Sequence, residues 1–148
     1  MQMRFVDIDD EVERIAGKPI PEIFESQGEE AFRELETRAT ESALAGEPAL
    51  IASGAGWIAS ARNRALLPSR GRIIYLRVAV STAADRLGES PGRPKLAGGA
   101  TIEVLRRLEA ERATFYELAQ GSIDTEGLTL QQVTNKIADL IKVFREEK

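Results

Sequence analysis

Three apolar runs interrupt an otherwise mixed chain, and each stops at polar or glycine residues. Phe5-Val6 breaks into the acidic cluster Asp7, Asp9, Asp10. Ala49-Leu50-Ile51-Ala52-Ser53 leads straight into Gly54-Ala55-Gly56, and Ile73-Ile74-Tyr75-Leu76 follows Arg72. The second and third runs are continuously apolar, the pattern of parallel strands covered on both faces. A weaker fourth strand is expected at Ser122-Ile123-Asp124-Thr125. Helical patterns fill the gaps. Pro21 suits a first helical position, and the helix through Glu22 to Gln27 is expected to end at Gly28. Phe32, Leu35, Ala39 and Ala43 then fall on one helical face, closed by Gly46 and Pro48. Val133, Ile137, Leu140, Ile141 and Phe144 make a second apolar stripe near the C-terminus. Strands alternating with helices predict an α/β fold built from βαβ units. Residues 88–99 hold four glycines, two prolines and two cations, and read as a loop or lid.

Composition narrows the chemistry. The 148 residues suit a single domain spanning 1–148, and 43% hydrophobic side chains with a net charge of −4 exclude intrinsic disorder. No apolar run reaches the roughly 18 residues of a membrane span, and no signal peptide is visible. There is no cysteine and no histidine. Thiol catalysis, Ser-His-Asp chemistry, disulfides and most zinc sites are therefore excluded. A pI near 5.1 argues against nucleic-acid binding through a broad basic surface, yet leaves room for small anions held by a few arginines.

Asp7 and Asp9 stand two apart where the first strand ends. If strand geometry persists, both carboxylates point out of the carboxyl edge of the sheet, where open α/β sheets bind ligands. They could hold Mg²⁺ through waters and orient a hydroxyl, or simply be the acidic start of a helix. Leu105, Leu108, Arg112 and Phe115 follow helical spacing, so Arg112 lies on an apolar stripe and needs an anionic partner, either a protein carboxylate or a bound anion. Arg33 sits at the edge of the stripe that holds Phe32, with Glu29, Glu30 and Glu36 as ordinary ion-pair partners. Gly54-Ala55-Gly56 could turn backbone amides toward an anion or be a plain strand-to-helix turn. Trp57 reads as packing beside that turn, and Arg93 as a solvated loop residue or an anion contact.

The order of these pieces is more specific than any one of them. Phe5-x-Asp7-x-Asp9-x-x-Val12-Glu13, Ile20-Pro21-Glu22-Ile23-Phe24, Gly28-Glu29-x-x-Phe32-Arg33-x-x-Glu36, the turn at 54–56, Arg93-Pro94-x-Leu96-Ala97-Gly98 and Arg112-x-x-x-Tyr116 follow in turn. In this order the chain resembles shikimate kinase, from Phe5 to about Ile137. The resemblance implies a three-layer α/β/α architecture with a parallel sheet, of the P-loop, nucleoside monophosphate kinase-like fold. It implies ATP-dependent phosphorylation of the shikimate 3-hydroxyl, in the route to chorismate and the aromatic amino acids, by a cytoplasmic enzyme. ATP and Mg²⁺ would take part, without nucleic acid or membrane, in a monomer when complete.

The resemblance also implies residue roles. Asp9 would hydrogen-bond the shikimate hydroxyls and position or deprotonate the attacking one, and Asp7 would sit near Mg²⁺ through water. Arg33 and Arg112 would clamp the substrate carboxylate, and Gly54, Ala55 and Gly56 would offer amides to the substrate. Arg93 on the lid would close over the transferring phosphate, with Arg86 near the nucleotide. Two departures from the family pattern stand out. The family turn is three glycines, whereas Ala55 is the middle residue here. The family's first strand, phosphate loop and helix, a unit of roughly 30 residues, would be missing. No G-x-x-x-x-G-K-[ST] occurs in the 148 residues, since Gly17-Lys18-Pro19 and Gly92-Arg93-Pro94 do not match. That strand is expected mid-sheet, so its neighbours would lack a ladder partner. Two other readings are a non-catalytic ligand-binding or regulatory module of the same family, and a kinase for another small molecule such as gluconate.

Overall fold

A computed structural model describes residues 2–54, 56–87 and 101–147, without the side chains of Arg86, Leu87 and Thr101. The elements run β1 (Arg4–Asp7), α1 (Ile8–Ala16), α2 (Ile20–Leu44), β2 (Ala49–Ala52), a 3₁₀ turn (Trp57–Ala59), α3 (Ala61–Leu66), β3 (Ile74–Arg77), α4 (Val80–Leu87), α5 (Thr101–Tyr116), β4 (Gly121–Asp124) and α6 (Leu130–Glu146). They divide into two units, β1 to α3 and β3 to α6. The four strands fall where the apolar runs predict them, and both pairings are parallel.

In the first unit β1 pairs with β2, Phe5 opposite Leu50 and Asp7 opposite Ala52. The period of two in a strand turns Val6 and Ile51 toward the helices. There they pack on a core of Ile8, Val12, Ile23, Phe32, Leu35, Ala39 and Ala43. The helical face read from Phe32, Leu35, Ala39 and Ala43 is therefore the one that is buried. Gly28, with φ 85° and ψ 178°, breaks α2 where the sequence predicts a helix end, so two helical segments meet at a kink. The kink lets Phe24 pack on Phe32 with ring centroids 4.8 Å apart. Arg4 reaches back to the end of α2 and donates to the carbonyls of Ala43 and Glu47, both at 2.7 Å. The Ala43 carbonyl is one that a helix end leaves unpaired, the Glu47 carbonyl lies in the chain just beyond, and α2 has no basic residue of its own in its last turn.

The second unit pairs β3 with β4, Leu76 opposite Ile123. Tyr75 stacks on Tyr116 at the end of α5, with centroids 4.4 Å apart. The C-terminal helix opens with a capping box between Thr129 and Gln132. Its predicted stripe of Val133, Ile137, Leu140, Ile141 and Phe144 is its partly buried face. Close approach of that stripe explains Gly121, where a Cβ would lie 3.1 Å from Leu140 and 3.2 Å from Phe144.

The expectation that the second and third strands are covered on both faces fails within each unit. Phe5 is 63% exposed, Leu50 36% and Leu76 43%. In the first unit the helices pack on the face carrying Val6 and Ile51, so the Phe5–Leu50 face stays open. Among the described residues no helix is long and apolar enough to cross a membrane.

Candidate functional site

Strand β1 ends at Asp7, whose side chain caps the next helix: the Asp9 amide donates to Asp7 Oδ1 at 2.9 Å. An Asp at this position satisfies an orphan amide and complements the positive end of the helix dipole. The pattern that suggested two outward carboxylates thus resolves into a strand end and a helix start. Asp7 is the cap, and Asp9 lies in the first turn of α1. Because Asp7 and Ala52 are register partners, this turn and the chain after β2 leave the same carboxyl edge.

Arg33 comes to this edge from α2. Its Nη1 donates to both carboxylate oxygens of Glu36, at 3.2 and 3.3 Å, and its Nη2 lies 3.6 Å from Glu29. The guanidinium also sits 5.3 Å from the Phe32 ring centre. This is more than the surface ion pair that the sequence suggests, because Glu36 is 1% exposed. Burial pushes the Glu36 carboxyl above the usual carboxylate range. The Arg33 charge and hydrogen bond and a hydrogen bond from Asn63 pull it back, and the negative charge of Asp9 adds to the rise. A Cβ on Gly54 would sit 4.0 Å from Glu36 Oε2. Asp9, Arg33, Glu36 and Gly54 thus share one corner of the first unit: a cation braced on a buried carboxylate beside a second carboxylate and a glycine backbone.

Behind this corner the polar groups are connected. Asn63, fully buried on α3, donates from Nδ2 to Glu36 Oε1 at 3.4 Å and to the Trp57 carbonyl at 3.1 Å. Its Oδ1 accepts from the Thr37 hydroxyl at 2.7 Å. Trp57 donates from Nε1 to Thr40, which in turn donates to the Glu36 carbonyl, each at 2.8 Å. Trp57 is packed beside the turn as expected, and its backbone N–H donates to the Gly54 carbonyl at 3.1 Å.

Arg112 stands on α5 in the second unit, partly buried on the same face as Leu105, Leu108 and Phe115, as the spacing predicts. Among the described residues no carboxylate pairs with it. Arg86 belongs to α4, but its side chain lies outside the described residues, as do Ala55, Arg93 and the whole of the predicted lid, 88–99. Gly56 precedes the 3₁₀ turn with φ −81°, a conformation open to any residue. Sequence reasoning passed over Asn63. The available signal was an Asn three residues after the helix-capping Ser60, too common a pattern to single out.

The family model described as SKI: Shikimate kinase matches residues 1–142. A shikimate kinase of Stenotrophomonas maltophilia strain K279a is 40% identical over 131 residues, covering 88% of this chain and 73% of the relative. One from Saccharopolyspora erythraea is 38% identical over 144 residues, covering 95% of this chain and 81% of the relative. Among solved structures, shikimate kinase from Acinetobacter baumannii in complex with shikimate matches with a TM-score of 0.88 at 34% identity. That match covers 95% of this chain and 79% of the other. The Aquifex aeolicus enzyme matches with a TM-score of 0.78 at 27% identity, over 95% of this chain and 82% of the other.

Proposed function

This chain belongs to the shikimate kinase family, and from that premise we infer that it transfers the terminal phosphoryl group of ATP to the 3-hydroxyl of shikimate. The observation that carries the reading is the family match through residues 1–142, which runs across both units and supports treating them as one shikimate kinase-like domain. The corner of Asp9, Arg33 and Gly54 adds chemical support, because an anionic polyol needs both a fixed cation and a hydroxyl acceptor.

In the proposed reaction Arg33 and Arg112 hold the substrate carboxylate, a task suited to the guanidinium fork. Asp9 accepts a hydrogen bond from the reacting hydroxyl and takes its proton as the oxygen attacks the terminal phosphorus. The bond from that phosphorus to the bridging oxygen breaks, and ADP leaves. Arg93 offsets charge on the transferring group, Arg86 contacts the nucleotide, and Gly54, Ala55 and Gly56 supply amides to the substrate. Such a transfer needs positioning and charge stabilisation, so the lack of His and Cys is no obstacle. Asp7 fits a magnesium ion held through water. Mg²⁺ keeps most of its waters and takes one or two carboxylates, and one Asp7 oxygen is committed to the helix cap. When bound, the ion would offset phosphate charge. The reaction belongs to the cytoplasm, and the active species is a monomer.

A second reading, confined to these 148 residues themselves, is shikimate binding without turnover, because they contain no G-x-x-x-x-G-K-[ST] to cradle the ATP phosphates. Two measurements on the purified chain separate the readings, shikimate binding by calorimetry and ATP-dependent formation of shikimate 3-phosphate, with gluconate as the control substrate. Binding with turnover supports the kinase. Binding with no product shows that these 148 residues bind shikimate without turning it over, and no binding of shikimate refutes both.

A further inference from the structure

The brace behind Arg33 is itself held by one side chain from another helix. Arg33 and Glu36 share α2, and an ion pair within one helix does not fix where the guanidinium points relative to the chain after β2. Asn63 does make that link. Its amide reaches the Glu36 carboxylate and the Thr37 hydroxyl on α2, and the Trp57 carbonyl in the turn that Gly54 opens. Only one orientation of the amide works. Nδ2 faces two oxygens, a carboxylate and a carbonyl, and Oδ1 faces a hydroxyl, so a flipped amide would set oxygen against oxygen twice. No buried side-chain nitrogen or oxygen among the described residues lacks a partner, and fully satisfied buried networks are the ones that impose a single geometry. Resting on the shikimate reading, we propose that Asn63 is a positioning residue for the substrate: it fixes the Glu36 carboxylate that aims Arg33 and ties it to the turn after β2, without touching substrate itself.

The groups acting on the Glu36 carboxylate are Arg33 on its own helix, Asn63 on α3 and the charge of Asp9 on α1. Removing the amide takes away a donor to the ionised form and leaves the burial and Asp9 in place. Glu36 then holds its proton to higher pH, and a neutral Glu36 no longer aims Arg33.

Two arms test this. Carboxyl ¹³C NMR of the ligand-free chain follows Glu36 directly. In Asn63→Leu its titration midpoint moves up by about one unit or more, the worth of a hydrogen bond to a charged group. An unmoved midpoint in a folded variant overturns the proposal. Shikimate titration followed by emission of Trp57, the one tryptophan of the chain, gives the second arm. Asn63→Leu weakens binding about tenfold at neutral pH, the worth of a charge-assisted hydrogen bond. Thr37→Val removes the anchor of the Asn63 oxygen, together with the hydroxyl's 3.1 Å contact to the Arg33 carbonyl, and weakens binding about threefold, the worth of a neutral hydrogen bond, while Thr37→Ser, which keeps the hydroxyl, binds like the wild type. A folded Asn63→Leu or Thr37→Val chain that binds like the wild type overturns the proposal, and if Asn63→Leu does not fold, Thr37→Val decides. A wild-type chain that binds no shikimate refutes the functional reading alone, since the NMR arm still decides the role of Asn63.

Discussion

Replacing Gly28 by Ala tests whether the kink in α2 is imposed by packing or merely permitted by glycine. At φ 85° and ψ 178° the residue occupies a region essentially reserved for glycine. A Cβ there would meet no atom within 4 Å, so the cost is one of backbone conformation and not of collision. Holding Ala in that conformation costs roughly 1–3 kcal/mol, and the stiffer unfolded chain returns about 0.4–1 kcal/mol. The escape route is to straighten α2, where Ala is better than Gly by about 1 kcal/mol. Straightening would swing residues 20–27 off the core and strip Ile23, now 0% exposed, and the Phe24 ring from their neighbours. Each of those side chains is worth about 1.5–3 kcal/mol of burial, so the kink wins. Gly28→Ala is therefore expected to lose about 1–2 kcal/mol with unchanged helix content and unchanged shikimate affinity, read by urea unfolding followed by circular dichroism. Asn distinguishes this backbone region from the ordinary left-handed one. Gly17, at φ 71° and ψ 20°, tolerates Asn, whereas Gly28→Asn is expected to cost as much as Gly28→Ala. Wild-type stability in Gly28→Ala, or higher helix content, would refute the reasoning.

Three further outcomes follow from the geometry. Arg33→Lys keeps the charge but loses the fork, so shikimate binding measured by calorimetry falls about tenfold and Arg33→Ala loses more; equal affinity in either removes Arg33 from the substrate site. Gly121→Ala sets a methyl 3.1 Å from Leu140 and costs about 1–3 kcal/mol, part of which Leu140→Val restores, in a double-mutant cycle of unfolding free energies. Glu36, with its carboxyl raised in the folded state, binds a proton there at pH values where the unfolded chain has released it. Its contribution is thus present below the ordinary Glu value and lost as pH rises through the raised one. Glu36→Gln should flatten that part of the stability–pH profile, and an unchanged difference between variant and wild type across the window would sink the assignment.

Much of the fold was legible because local rules govern it. Strand positions follow from apolar runs bounded by glycine and acidic residues, the break at Gly28 from glycine in a helical pattern, and the α6 stripe from helical spacing. What covers a strand is not local information: Leu50 and Leu76 read as buried by composition and remain open in their units. Long-range polar partners were equally invisible. Arg4 reaches Ala43, 39 residues away, and Asn63 reaches Glu36, 27 residues away, by contacts that no spacing rule encodes. The site was legible only through the order of its pieces. Asp9, Arg33 and Gly54 each had an ordinary reading, and parallel pairing of β1 with β2 is what brings Asp9 and Gly54 to one edge.

The charges in that corner give Arg112 its own prediction. Arg33 already faces two carboxylates, Glu36 and Glu29, with the charge of Asp9 acting on the first of them. One guanidinium shared in this way cannot also neutralise an incoming substrate carboxylate, so binding an acid here requires another cation. The family resemblance proposes Arg112 for that role; in its own unit it is partly buried, and among the described residues no carboxylate pairs with it. The two arginines should then separate by readout. Arg33→Gln leaves Glu36 buried without its cation and lowers both affinity and stability, whereas Arg112→Gln orphans no carboxylate among the described residues and is expected to lower affinity alone, by about tenfold or more. Calorimetric titration with shikimate and urea unfolding of the same two variants decide it. An Arg112→Gln chain that binds normally would show that the second cation must be sought elsewhere, and one that loses as much stability as Arg33→Gln would show that Arg112 serves the fold.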